Sequence, residues 1–109
     1  MNLTIDTEQE HDRTVLFLSG ELDIYTAPNL KDKLVPLVEQ KDAMVEIDMD
    51  EVNYMDSTGI GVFIHALKTA KQSGSKMKLT NLQEKTMRLF EITGLDEVLD
   101  INSSIRGGN

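Results

Sequence analysis

A chain of 109 residues, 39% hydrophobic and 28% charged, suits one globular domain with a single core and is too short for two. Its formal charge of −8 repels nucleic-acid phosphates and anionic lipid unless charge is strongly segregated, and with no cysteine it has no disulfide, thiolate metal site or cysteine nucleophile. No stretch approaches the roughly 20 apolar residues of a membrane helix, and the opening M-N-L-T-I-D-T-E lacks the basic and apolar regions of a signal peptide. The expectation is therefore a cytoplasmic protein with protein partners, no membrane or direct nucleic-acid contact, and no metal or cofactor.

In chain order, Leu3 and Ile5 alternate with polar residues as an edge strand would, whereas Val15-Leu16-Phe17-Leu18 is apolar throughout and suits a two-sided interior strand. The intervening E-Q-E-H-D-R is a polar turn. Thr26 is placed to cap a helix with Pro28 in its first turn, and Leu30, Leu34, Leu37 and Val38 share one face of it; Pro36 should kink or end it. Val45, Ile47 and Met49 alternate with acids as a third strand, and Met77 and Leu79 alternate with lysines as a fourth. A helix lies between these two strands. Asn81 and Glu84 have capping-box spacing for a further helix, which Gly94 should stop, and residues 96–101 form a short element whose type the pattern leaves open.

This alternation predicts a single α/β domain over 1–109, with its core at about 3–101 and 103–109 as a frayed tail. The sheet should be small and mostly parallel, with an antiparallel N-terminal edge strand and about four helices packed against it. In such a sheet the loops leaving the carboxyl ends of the parallel strands gather along one edge. Two of them are G-E-L-D at 20–23 and N-Y-M-D-S-T-G-I-G-V-F at 53–63, which makes Asp23 and Ser57 potential neighbours although 34 positions apart.

The second loop contains two glycines, Gly59 and Gly61, in what reads as the first turn of a helix, where each costs roughly 1 kcal/mol relative to alanine. If Asp56 caps this helix, Met55 and Ile60 pair as a hydrophobic staple; if Ser57 does, the pair becomes Asp56 and Gly61, which cannot. The Asp56 register is favoured, and its carboxylate suits the positive end of the helix dipole. Ile60, Phe63, Ile64, Leu67 and Ala70 then face inward, while Ser57, Gly61, His65 and Lys68 form a second stripe. Gly61, one turn below Ser57, either admits a partner's backbone or a nucleotide or permits tight packing of a neighbouring loop. On these residues alone, capping and packing outweigh a functional serine.

Enzymatic readings are weaker. A serine nucleophile needs a base within hydrogen-bond reach, yet His65 lies about 12 Å farther along the same helix axis. D-S-T-G differs from the D-[ST]-G of aspartic proteases by one residue and has no second copy, and G-I-G-V-F lacks the lysine and spacing of a P-loop. A phosphate acceptor is physically better founded. An uncommitted hydroxyl at a helix N-terminus can carry a phosphate without unfolding the helix, and the added charge of about −1.5 to −2 changes what a partner meets beside Asp56 and Asp23.

G-E-L-D-I-Y-T-A-P at 20–28, Y-M-D-S-T-G-I-G-V-F at 54–63 and I-T-G-L at 92–95 together resemble the bacterial anti-sigma factor antagonists of the STAS domain family, nearest to their general-stress branch, over roughly residues 3–101. The resemblance implies a non-enzymatic partner switch. The unphosphorylated antagonist binds an anti-sigma factor that is also a serine kinase, releasing the sigma factor; phosphorylation at Ser57 ends the signal, and a PP2C-type phosphatase reverses it. It further implies a partner-binding set of Asp23, Asp56, Ser57, Thr58, Gly59, Ile60 and Gly61, with Thr58 off the usual acceptor position. A scaffold subunit of a stress-sensing assembly is the alternative; a nucleotide-hydrolysing domain ranks below both.

Overall fold

The apolar run Val15–Leu18 lies inside the longer strand β2 (Arg13–Leu22), which is paired on both sides, as its two-sided hydrophobicity requires. The computed structural model describes residues 2–102. In chain order it contains β1 (Leu3–Glu10), β2, α1 (Ala27–Val38), β3 (Met44–Met55), α2 (Ser57–Ser73), β4 (Lys76–Thr80), α3 (Glu84–Thr93), a 3-10 turn (Leu95–Glu97) and β5 (Asp100–Asn102). The strands form one sheet in the order β1-β2-β3-β4-β5. β1 joins antiparallel through a turn in which only His11 and Asp12 stand outside the ladder, and every other pair is parallel.

Each parallel crossover steps in the same direction across the sheet, so the right-handed rule places all three helices on one face. The core agrees: Leu16, Leu18, Ile47, Met49 and Leu79 form a single buried cluster with Leu30, Leu34, Phe63, Ala66 and Phe90. Phe63 and Phe90 meet with ring centroids 5.9 Å apart at an interplanar angle of 56°, a tilted arrangement suited to aromatic quadrupoles. The other face carries the alternate residues. Across it run Glu8, Val15, Glu46, Lys78 and Asp100 in one row, and Asp6, Phe17, Asp48, Thr80 and Asn102 in the next.

Several sequence expectations need correction. Among the described residues there are three α-helices rather than about four; the open segment 96–101 runs from the 3-10 turn through Val98 and Leu99 into β5, after Gly94 has closed α3 in the left-handed region at φ 77°. Pro36 does not end α1, which runs on to Val38. Leu34 and Val38 flank the proline and are fully buried, and this packing holds the last turn despite the lost hydrogen-bond donor.

Asn81 is not the cap of α3. It adopts a φ of 59° and donates from Nδ2 to Asp48 Oδ2 at 3.0 Å, while Gln83 takes the capping position and donates its side-chain amide to the Asp50 carbonyl. The Asn81 side chain is thus directed at β3, and its Oδ1, the atom a cap would use to accept a helix N–H, is buried without a hydrogen-bond partner among the described residues. The expected tail at 103–109 lies outside the described residues.

Candidate functional site

The two loops expected to meet do leave neighbouring strand ends. Leu22 pairs with Met55 at the carboxyl ends of β2 and β3, and the Asp56 amide donates to the Leu22 carbonyl at 3.2 Å. Asp23 follows the first of these residues and Ser57 closely follows the second.

Asp56 is the N-cap of α2, in extended conformation, and its Oδ1 accepts from the Thr58 amide at 2.9 Å. Met55 and Ile60 are both buried in the core cluster, which is the staple predicted for this register. Ser57 is exposed in the first turn, and its hydroxyl has no protein partner among the described residues. Gly61, His65 and Lys68 continue the exposed stripe below it.

The two glycines differ. A Cβ added at Gly59 would lie 2.8 Å from Leu22 Cγ and 2.8 Å from Met55 Cγ, so this glycine is required by packing of the helix start against the ends of β2 and β3. At Gly61 an added Cβ would meet nothing within 4 Å. Intramolecular packing therefore explains the first glycine and leaves the second unexplained.

The Asp23 loop is built on an opposite plan. Asp23 is buried, and its Oδ1 accepts from the Tyr25 amide at 2.9 Å and the Thr26 amide at 3.0 Å, with the Thr26 hydroxyl oxygen 3.3 Å away. Thr26 occupies the N-cap position of α1 but makes no side-chain capping bond. Its Oγ1 accepts from the Asp23 amide at 2.9 Å and donates to the Glu21 carbonyl at 2.7 Å. Thr26 therefore acts as a lock for this loop, a role missed by reading it only as a cap; the i, i+3 spacing of an Asp and a Thr was the available signal. With its carboxylate committed to these donors, Asp23 shapes the loop from within. Gly59 and Ile60, also buried, likewise support the surface from below.

What the loop exposes is apolar: Ile24 is 63% and Tyr25 79% exposed, and Tyr54 on β3 is 47% exposed. Charge is segregated by element rather than by layer, since β4 in the same sheet carries Lys76 and Lys78 and no acidic residue. β1 and β3 carry Asp6, Glu8, Glu10, Glu46, Asp48, Asp50 and Glu51 and no basic residue, whereas α2 carries Lys68 and Lys71 and no acidic one. At the opposite end of the sheet from Ser57, Arg13 bonds Glu10 and pairs with Glu46 at 3.0 Å. The Glu10 hydrogen bond, followed by the charge of Glu46, raises the guanidinium pKa above its ordinary value. No group of three or more His, Asp or Glu side chains arranged to hold a metal occurs among the described residues, and no helix there is long and apolar enough to cross a membrane.

The model of the STAS domain family matches residues 4–107. The chain belongs to the STAS domain family. The anti-sigma-B factor antagonist of Bacillus subtilis is 45% identical to it over 108 residues, covering 99% of this chain and 98% of the relative. Among solved structures, a candidate anti-sigma factor antagonist from Thermotoga maritima superposes with a TM-score of 0.83 at 25% identity, over 93% of this STAS domain and 87% of that chain. The Bacillus cell fate determinant SpoIIAA, in its phosphorylated form, shares the fold with a TM-score of 0.70 at 19% identity, over 92% of each chain.

Proposed function

We propose that this STAS domain is an anti-sigma factor antagonist switched by phosphorylation of Ser57. The observation that carries the reading is the state of that hydroxyl. It is exposed, without a protein partner among the described residues, one residue past an aspartate that has already capped the helix. Its nearness to the relatives named anti-sigma-B factor antagonist supports the same role. In its unphosphorylated form the chain binds an anti-sigma factor that is also its serine kinase and so frees the sigma factor; a PP2C-type phosphatase resets it, and all three partners meet in the cytoplasm. The chain itself performs no catalysis.

Phosphate at Ser57 is compatible with the fold because the helix N-terminus favours added negative charge. Asp56 beside it does not, and a hundredfold loss of partner affinity needs only about 2.7 kcal/mol. Thr58, Ser57 and Gly61 form the contact surface, with Asp23, Asp56, Gly59 and Ile60 holding its shape.

Incubation with the purified cognate kinase and ATP, followed by mass spectrometry, should place one phosphate on Ser57. Ser57→Ala should bind the kinase as wild type does and accept no phosphate there, while Ser57→Asp should bind much more weakly. Phosphate found on another residue, or Ser57→Asp binding as tightly as wild type, would overturn the switch. Stable association whatever the state of Ser57 would favour a scaffold subunit instead.

A further inference from the structure

Among the described residues six large hydrophobic side chains are exposed, and they gather at the two ends of the sheet. Ile24, Tyr25 and Tyr54 stand at the Ser57 end; Met44, Ile92 and Val98 stand at the other, where β3 and β5 begin and α3 ends. That second end also holds a crevice of about 110 Å³, walled by Met44 and Met77, with Lys76 and Lys78 beside them and Asp100 at the start of β5. It is large enough for one branched aliphatic side chain. Val98 lies two residues before Asp100, so one surface carries both an apolar hole and an apolar knob. A surface of that kind fits another copy of itself about a two-fold axis, hole to knob and knob to hole.

Charge selects the same occupant. Two copies that each carry −8 repel at long range, so they associate only where opposite charges are matched locally. Around the hole, Arg13 and Glu46 are already paired with each other at 3.0 Å, whereas Lys76 and Lys78 make no ion pair among the described residues. Beside the knob, Asp96 and Glu97 of the 3-10 turn make none either. We infer that this end of the sheet is a self-association surface: Val98 of each copy enters the crevice of the other, and the acids of its 3-10 turn meet Lys76 and Lys78. The patch is small, which places the dimer among weak, transient associations. Both Ser57 ends point away from the shared surface, so the pair presents two acceptor loops at once and forms whatever the state of Ser57.

Sedimentation equilibrium of the purified full chain, from about 10 µM to about 1 mM, should show a monomer–dimer equilibrium. Val98→Arg should remain monomeric over that range. Lys76→Glu and Glu97→Lys, both at exposed positions, should each melt as wild type does and dimerise at least about fivefold more weakly. An equimolar mixture of these two should recover the dimer, because the altered hole then meets an altered knob of opposite charge while the second hole and knob are both native. Misfolding of either variant cannot produce that recovery. A wild type that stays monomeric up to about 1 mM, a dimer that Val98→Arg leaves intact, or a mixture no stronger than either variant alone overturns the inference. None of these outcomes alters the assignment of Ser57, which is read separately by kinase incubation and mass spectrometry.

Discussion

The loops that close β2 and β3 lie side by side, yet they treat their polar groups in opposite ways. Between Glu21 and Thr26, a buried carboxylate and a hydroxyl together accept from three backbone amides and the hydroxyl donates to the Glu21 carbonyl, so the segment is fixed and chemically closed. Between Asp56 and Gly61, the aspartate caps the helix and the serine hydroxyl beside it has no protein partner among the described residues. The closed loop supplies rigidity and an exposed apolar rim; the open one supplies a modifiable group. A switch that works without refolding needs both, because a phosphate acts on a partner only if the surface around it keeps its shape.

This contrast can be broken experimentally. The largest effect is expected from Asp23→Ala, which leaves the Tyr25 amide without its acceptor and the Thr26 amide with only its longer bond to the Asp23 carbonyl, and should lower stability in urea denaturation by about 2 kcal/mol. Alanine at the two glycines should then separate packing from exposure. Gly59→Ala forces Leu22 and Met55 to shift and should destabilise by about 1 kcal/mol, whereas Gly61→Ala meets nothing and should stabilise by about 0.5–1 kcal/mol. Equal effects at both sites would remove the distinction drawn between them.

Asp56→Ala removes the α2 cap and should cost about 1 kcal/mol by the same measurement. Smallest of all, Ser57→Ala should change stability by less than about 0.5 kcal/mol. A larger loss there would mean that the hydroxyl is structurally committed after all.

Much of this was legible in the chain. The alternation of β3, the doubly apolar β2 and the Gly94 stop depend on neighbours within a few residues, and they located the parallel sheet. The Met55–Ile60 staple selected Asp56 as the cap, because the competing register paired an aspartate with a glycine, and that choice left Ser57 uncommitted. Asn81 shows where local reasoning stops: its spacing to Glu84 suits a capping box, but β3 brings Asp48 within 3.0 Å and takes the side chain. Pro36 shows the converse, since burial of Leu34 and Val38 overrides a local helix breaker.

Taken alone, the sequence determined the order of elements as far as α3, the register of the α2 start and the exposure of Ser57, all properties set by periodicity and by contacts within a turn. Tertiary structure decided why the two glycines differ and how Asp23 and Thr26 close their loop. Those outcomes depend on which strand ends lie together and which faces the helices cover. Leu22 and Gly59 are 37 positions apart in the chain, and only the parallel pairing of β2 with β3 brings them into contact.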